Sequence, residues 1–329
     1  MKTTIQGHEQ VKQFLNRILS KEVCFPSSLL LEGPSGIGKR TLIEHFLLNL
    51  YCTHSQHEYC GNCHTCKHII NKSFPDILFF SPENTIKIQQ IRDLKDYFHA
   101  PPVESKVKTV FLPSLENMTL NAYNSFLKML EEPPSYLKII ATSDYPGRIP
   151  ATILSRFMRI PLTFLSRNEY TRYFEGSFSN IDPGHQRLYF YLSHGSPGAT
   201  LRMIQNNDVL SLRDTCLEGL KSVFCNNDPS SLYLALEQSI KTGADHCFIP
   251  LILFLIRDMV YLRCNLDETV VNTDIYDKIE CLNTSASMST LWELADAFFN
   301  NLAIQRKYFD QFLWNEFFLW KIMKIPVNQ

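Results

Sequence analysis

The 329-residue sequence predicts an α/β domain built on a mainly parallel sheet, followed by a small helical domain and a larger all-helical one. Three observations carry that prediction. The apolar run SSLLLE at 27–32 ends in a glycine-rich turn and passes into the helical stretch TLIEHFLLNL, which is the order strand, loop, helix. Three further short runs, DILFF (76–80), TVFL (109–112) and KIIAT (138–142), are separated by segments of helical spacing, the alternation from which parallel sheets are built. After about Pro161 the strand signal fades.

Each element has a local reason. Between the last two strands, Leu120–Glu131 sets Ala122, Phe126 and Leu130 on one stripe and meets Pro133-Pro134, so it reads as a helix that packs on the sheet and stops there. Arg167 to Arg202 reads as short helices broken by SNIDPGH and by the turn GSPG at 195–198. From Asp208 onward, LRDTCLEGLKSVF, SLYLALEQSI, FIPLILFLIRDMVYL and DQFLWNEFFLWKIM have helical period and many aromatics.

Composition excludes several classes. The chain is 45% hydrophobic and 20% charged, an ordinary globular balance, and no apolar run approaches the ~18 residues that suggest a membrane span. The first twenty residues mix charge and polarity throughout, so no secretory signal is read and a cytoplasmic location is expected. Residues 1–163 hold 18 Lys+Arg against 14 Asp+Glu, and the remainder 14 against 19. With no basic tail, this chain alone is expected to bind nucleic acid weakly.

Three motifs point to chemistry. GPSGIGK, with Gly33, Gly36, Gly38 and Lys39, fits a phosphate-binding loop, in which backbone N–H groups converge on phosphate oxygens and the lysine adds charge. The Mg²⁺-ligating hydroxyl belongs directly after the lysine, but Arg40 stands there and Thr41 comes one place late, about 100° further round the helix. The strand TVFL is followed by Pro113 and Ser114 where a hydrolytic site needs acids, and Glu116 would have to bend back. Two readings stay open: a loop that still holds ATP or ADP, and one that keeps only its shape. Neither reading favours hydrolysis.

Cys52, Cys60, Cys63 and Cys66 read C-x₇-C-x₂-C-x₂-C, a spacing that sets four thiolates around a tetrahedral structural Zn²⁺. His54, His57, His64 and His68 lie nearby, but a complete four-sulfur shell needs none of them. Finally, Ser155-Arg156-Phe157 follows PGRIP and ATIL, placing a guanidinium near a helix end, either as an ordinary surface arginine or as one that reaches a neighbour's phosphate.

In this order, GPSGIGK, the four cysteines, IKIQQIRDL (86–94), NAYNSFLKMLEEPP (121–134), ATSDYPGRIPATILSRF (141–157) and GSPGA (195–199) resemble the clamp-loader branch of the AAA+ family. IQGHEQVKQFL (5–15) is similar to the segment that borders the family's adenine pocket. The resemblance covers residues 1 to about 205, and the last third matches only in length and helical character. It implies an AAA+ nucleotide-binding domain over 1–163 with the zinc module inserted at 52–66, a helical lid over 164–207, and a helical collar over 208–329 that joins a ring. It further implies that Arg156, beside Ser155, is an arginine finger offered in trans, with Phe157 in place of the usual Cys, and that Thr142 is the polar sensor. Where ATPase relatives carry an arginine at the lid helix start, this chain has Pro197-Gly198. The function implied is a non-hydrolysing ring subunit of bacterial DNA polymerase III. Its partners would be the loader's ATPase subunits and delta subunit and, through the assembled ring, the sliding clamp and primed DNA; no membrane is involved. The alternative is an active ATPase subunit of the same loader, and a further one a zinc-stabilised DNA-binding module.

Overall fold

The computed structural model describes residues 5–54, 58–80, 85–178, 181–206, 208–226, 228, 230–294 and 296. They form two compact units, one running to Tyr173 and including Ser196–Gly198, the other made of Phe174–Gly195 and the chain from Ala199 onward.

The first unit is built on five strands: β1 (Ser28–Glu32), β2 (Ile77–Phe79), β3 (Lys108–Leu112), β4 (Leu137–Ser143) and β5 (Met158–Pro161). Their order is β2-β3-β4-β1-β5 and every pair is parallel. The connections carry α2 (Lys39–Tyr51), α3 (His64–Ile70), α4 (Ile88–His99), α5 (Leu120–Glu131) and α6 (Ala151–Leu154), and α1 (Glu9–Leu19) precedes the sheet. Both faces of the sheet are covered, which is why β1 reads as an unbroken apolar run. Leu29, Leu31, Phe111 and Ile140 pack with α1, α2 and α3 through Leu15, Phe46, Leu47 and Ile69. Leu30, Val110, Ile139 and Ala141 pack with α4, α5 and α6 through Ile91, Phe126 and Ile153. Helix α5 has the expected bounds: Thr119 accepts a hydrogen bond from the Ala122 amide at 3.3 Å and caps its start.

Strand β5 departs from the sequence reading, which placed no strand there. MRIP lies on the sheet edge with most of its residues exposed, so it shows neither apolar alternation nor a buried run. Pairing with β1 and a forked ion pair hold it: Arg159 donates to both Glu32 carboxylate oxygens, at 2.9 and 3.0 Å.

Helices α7 (Arg167–Ser177) and α9 (Pro197–Asn206) cross the division between the units. The second unit contains α8 (Pro183–Ser193), α10 (Asp208–Asn226), α11 (Ser230–Thr242), α12 (Asp245–Arg263) and α13 (Tyr276–Asn283). Its buried charges are paired. Arg213, 3% exposed, holds Asp274 with both ends of its fork, at 2.8 and 2.7 Å. Burial alone would raise the Asp274 pKa, but Arg213 outweighs it and the carboxyl sits below its ordinary range. The fully buried Asp258 accepts the backbone amides of Val271 and Asn272 at 3.0 and 2.9 Å. The aromatic segment DQFLWNEFFLWKIM lies outside the described residues. Among those described, no helix is long and apolar enough to cross a membrane.

Candidate functional site

The phosphate loop joins β1 to α2, and its shape depends on glycine. Gly33 has φ +150°, and a Cβ there would lie 2.2 Å from the Leu162 carbonyl oxygen, so any side chain would push the loop off β5's exit. Gly36 and Gly38 also have positive φ. The loop carbonyls are tied down by surrounding residues. Those of Gly33 and Pro34 accept from Lys39 Nζ at 2.5 and 2.7 Å, and that of Ser35 from Ser196 Oγ at 3.3 Å. Next along, the Gly36 carbonyl accepts from the Gly198 amide at 2.8 Å and the Ile37 carbonyl from His8 Nε2 at 3.0 Å. With its carbonyls turned to these donors and the first amides of α2 lacking intrahelical partners, the loop keeps the form of an anion cradle. A Cβ on Gly198 would meet the Gly36 oxygen at 2.9 Å, so this contact requires the small size of glycine there.

Lys39 itself is engaged. Besides the two loop carbonyls it contacts Asp144 Oδ1 at 2.6 Å and is only 7% exposed, so all three ammonium donors have acceptors. Asp144, just beyond β4, was not singled out in the sequence; nothing in its local pattern marks it, and only the pairing of β1 with β4 brings it to the loop. Arg40 turns to Glu44 at 2.9 Å. Thr41 is exposed and lines a cavity of about 910 Å³ with Glu44, His45, Tyr59, Cys60 and Ile69, a wall of the cysteine module.

At the end of β3, Pro113 and Ser114 occupy the places of the missing acids, and Ser114 has φ +51°. Glu116 does bend back: Oε1 accepts the Asp144 amide at 2.9 Å, while the buried Oε2 has no hydrogen-bond partner among the described residues. Thr142 is buried on β4 beside Leu31, and its hydroxyl accepts the Ser114 amide at 3.2 Å. It therefore fixes the turn after β3.

Arg156 and Ser155 follow α6 at another edge of the unit. Arg156 donates from Nη1 to the Thr152 carbonyl at 2.7 Å and from Nη2 to Glu131 Oε1 at 2.8 Å. Its side chain is 32% exposed. The exposed Ser155 donates to the same Thr152 carbonyl at 3.1 Å. Phe157 is buried, its ring centroid 6.4 Å from that of Phe126, so the residue after Arg156 is a core anchor.

The four predicted cysteines do come together. Their sulfurs all lie within 4.8 Å of one another, against about 3.8 Å for the edge of a tetrahedron with metal–sulfur bonds of ~2.3 Å. Cys52 ends α2, Cys63 caps α3 and Cys66 lies within it. The amides of Cys60, Cys63 and Cys66 donate to the sulfurs of Cys52, Cys60 and Cys63 at 3.3, 3.3 and 3.4 Å. Burial pushes the Cys63 thiol up, but the Cys66 amide and neighbouring side chains, His54 included, outweigh it and bring it down to about 5. Burial and its thiol neighbours hold Cys66 up, at about 12. Such a cluster ionises fully only around a cation, so the residues fit a soft tetrahedral metal ion. The rings of His64 and His68 lie against each other at a tilt of 44°, centroids 4.2 Å apart. His57 lies outside the described residues.

Residues 7–166 match the family described as DNA polymerase III, delta subunit. The delta′ subunit of Pseudomonas aeruginosa DNA polymerase III is 30% identical over 59% of this chain and 60% of its own length. That of Yersinia pestis is 27% identical over 82% of this chain and 80% of its own. The alignments span 21 to 50% of the first matching relatives, the tau and gamma subunits of other bacteria. Among solved structures, a gamma subunit-related protein of Thermotoga maritima is similar, with a TM-score of 0.43 and 17% identity over 97% of this chain and 93% of its own. The family match over residues 7–166 and the delta′ relatives together make this chain similar to clamp-loader subunits of DNA polymerase III.

Proposed function

We propose that this chain is a non-hydrolysing, delta-prime-like subunit of the DNA polymerase III clamp loader. In that role it stiffens the ring and lends Arg156 to the ATP site of an adjacent ATPase subunit, so that the sliding clamp is loaded on primed DNA. The observation that carries the reading is the state of Lys39: its donors are spent on two loop carbonyls and Asp144, while Arg40 stands where the Mg²⁺ hydroxyl belongs and Pro113 and Ser114 where the acids belong. A site so closed can hold ADP or ATP only by displacing Asp144. It lacks the groups that would orient a metal and an attacking water.

The mechanism then rests on Arg156. Its guanidinium has three N–H donors left beyond the two in use, enough to fork onto a γ-phosphate whose charge spreads over its oxygens as the bond to the leaving group loosens. Ser155 braces the Thr152 carbonyl that holds the same guanidinium. In this reading residues 1–163 are the AAA+ domain, 164–207 the lid and 208–329 the collar. Cys52, Cys60, Cys63 and Cys66 hold a structural Zn²⁺. The complex acts in the cytoplasm, with the ATPase subunits and the delta subunit as direct partners.

One observation favours the alternative of an active, gamma/tau-like subunit: Asp144 and Glu116 bring two carboxylates to the region of Lys39, where they could stand in for the missing acids. ATP turnover separates the two. The non-hydrolysing reading expects none from the isolated chain, turnover in the mixture with ATPase subunits, clamp and primed DNA, and its loss with Arg156→Ala. Turnover by the isolated chain that is lost with Lys39→Ala would establish the alternative.

A further inference from the structure

A guanidinium that must reach across to another subunit needs its own chain to hold it still, and here that support comes from one helix. Helix α5 is fixed on the sheet by Ala122, Phe126 and Leu130, all buried. Its middle, Phe126, meets the ring of Phe157, which anchors the backbone next to Arg156. Its last residue, Glu131, accepts from Nη2 of Arg156 at 2.8 Å. Thus α5 sets both the root of the arginine and its tip. The Thr152 carbonyl, one turn back from Arg156, supplies a second point of support at 2.7 Å.

We infer that Glu131 is a positioning residue for Arg156, holding the guanidinium plane so that its unused donors are aimed as a set. The inference rests on the trans role proposed for Arg156. The ion pair is half exposed, 32% for the arginine and 52% for the glutamate, and pairs of that kind contribute little to stability. Its effect is therefore on geometry. Each long side chain loses rotamer freedom when it binds, and a reacting group misplaced by about 1 Å can lose ~10²-fold in rate. Neighbouring Glu132 lies past the end of α5, its backbone at φ −132° and ψ 64° outside both the helical and the extended regions.

The test uses the assembled complex of this chain with ATPase subunits, clamp and primed DNA, comparing wild type, Glu131→Ala, Glu131→Gln, Arg156→Ala and the double variant Glu131→Ala/Arg156→Ala. Glu131→Ala should lower kcat for ATP about 10-fold to 100-fold with KM changed less than about twofold. Glu131→Gln, which keeps one acceptor, should recover part of that loss, and the double variant should be no slower than Arg156→Ala. An unchanged kcat for Glu131→Ala would overturn the inference. So would faster turnover, which would make Glu131 a restraint, or an equal loss in the Arg156→Ala background, which would make its effect general. If Arg156→Ala itself leaves turnover intact, the trans role falls and the inference with it, whereas loss with Arg156→Ala but not with Glu131→Ala removes the inference alone.

Discussion

At the phosphate loop every donor of Lys39 meets an acceptor of its own chain, whereas at the Arg156 edge two of five guanidinium donors are in use. Both cations belong to the same unit and both touch a carboxylate, but one is 7% exposed and the other 32%. The difference lies in what remains for an outside ligand. A buried lysine held by three acceptors must break contacts before it takes a phosphate, and the carboxylate it leaves behind would be half-buried and unpaired. A half-exposed arginine held along one side can accept a phosphate by addition. On the proposed reading, the chain is closed at the loop where it would act for itself and open at the edge where it would act for a neighbour.

The contrast can be broken or sharpened by substitution, beginning with the largest expected effect. Replacing Cys63 and Cys66 by Ser should abolish bound metal, since two of four ligands are lost. It should also loosen α3 and the end of α2, the helix that begins with Lys39. Elemental analysis and the melting temperature report both effects, and an unchanged metal content would remove the centre from the account. Asp76→Asn comes next. Asp76 is fully buried and accepts the amides of Val103, Glu104 and Ser105 at 2.7 to 2.8 Å. Burial raises its pKa, but those donors win and hold it below the ordinary 3.8. Its contribution is therefore complete above about pH 4 and is lost as pH falls through the lower folded-state value. Asp76→Asn should cost about 1–3 kcal/mol at neutral pH, measured by denaturant unfolding, and the gap from wild type should narrow below about pH 4. A gap that widens in acid would contradict this assignment. Smallest is Asp144→Asn, which frees Lys39 from a charged competitor. Affinity for ADP, followed with a fluorescent analogue, should rise about tenfold, or ~1.4 kcal/mol. Weaker binding would mean that Asp144 assists the nucleotide.

Much of this was legible in the amino acids, for reasons that vary with the element. Strands β1, β3 and β4 are buried on both faces and so announce themselves as apolar runs, and α5 carries its cap, its stripe and its terminating prolines in twelve residues and their flanks. The cysteines were legible because metal ligands must recur at turn spacing. Strand β5 was not, since an exposed edge strand held by Arg159 and Glu32 needs no apolar pattern. The pairs that decide the site, Lys39 with Asp144 and Arg156 with Glu131, join segments that only the packed fold brings together. Sequence spacing marks Lys39 and Arg156 as candidates, and the side chains around them decide whether each is engaged or available.

The central claim is most directly tested by comparing Lys39→Ala with Arg156→Ala in the assembled loader, with ATP turnover measured on clamp and primed DNA. The account predicts an asymmetry: Arg156→Ala lowers turnover by ~10³-fold where chemistry is limiting, while Lys39→Ala, in a site that does not hydrolyse, changes it by less than about twofold once assembly is matched. The reverse pattern, with turnover lost on Lys39→Ala and kept on Arg156→Ala, would contradict it.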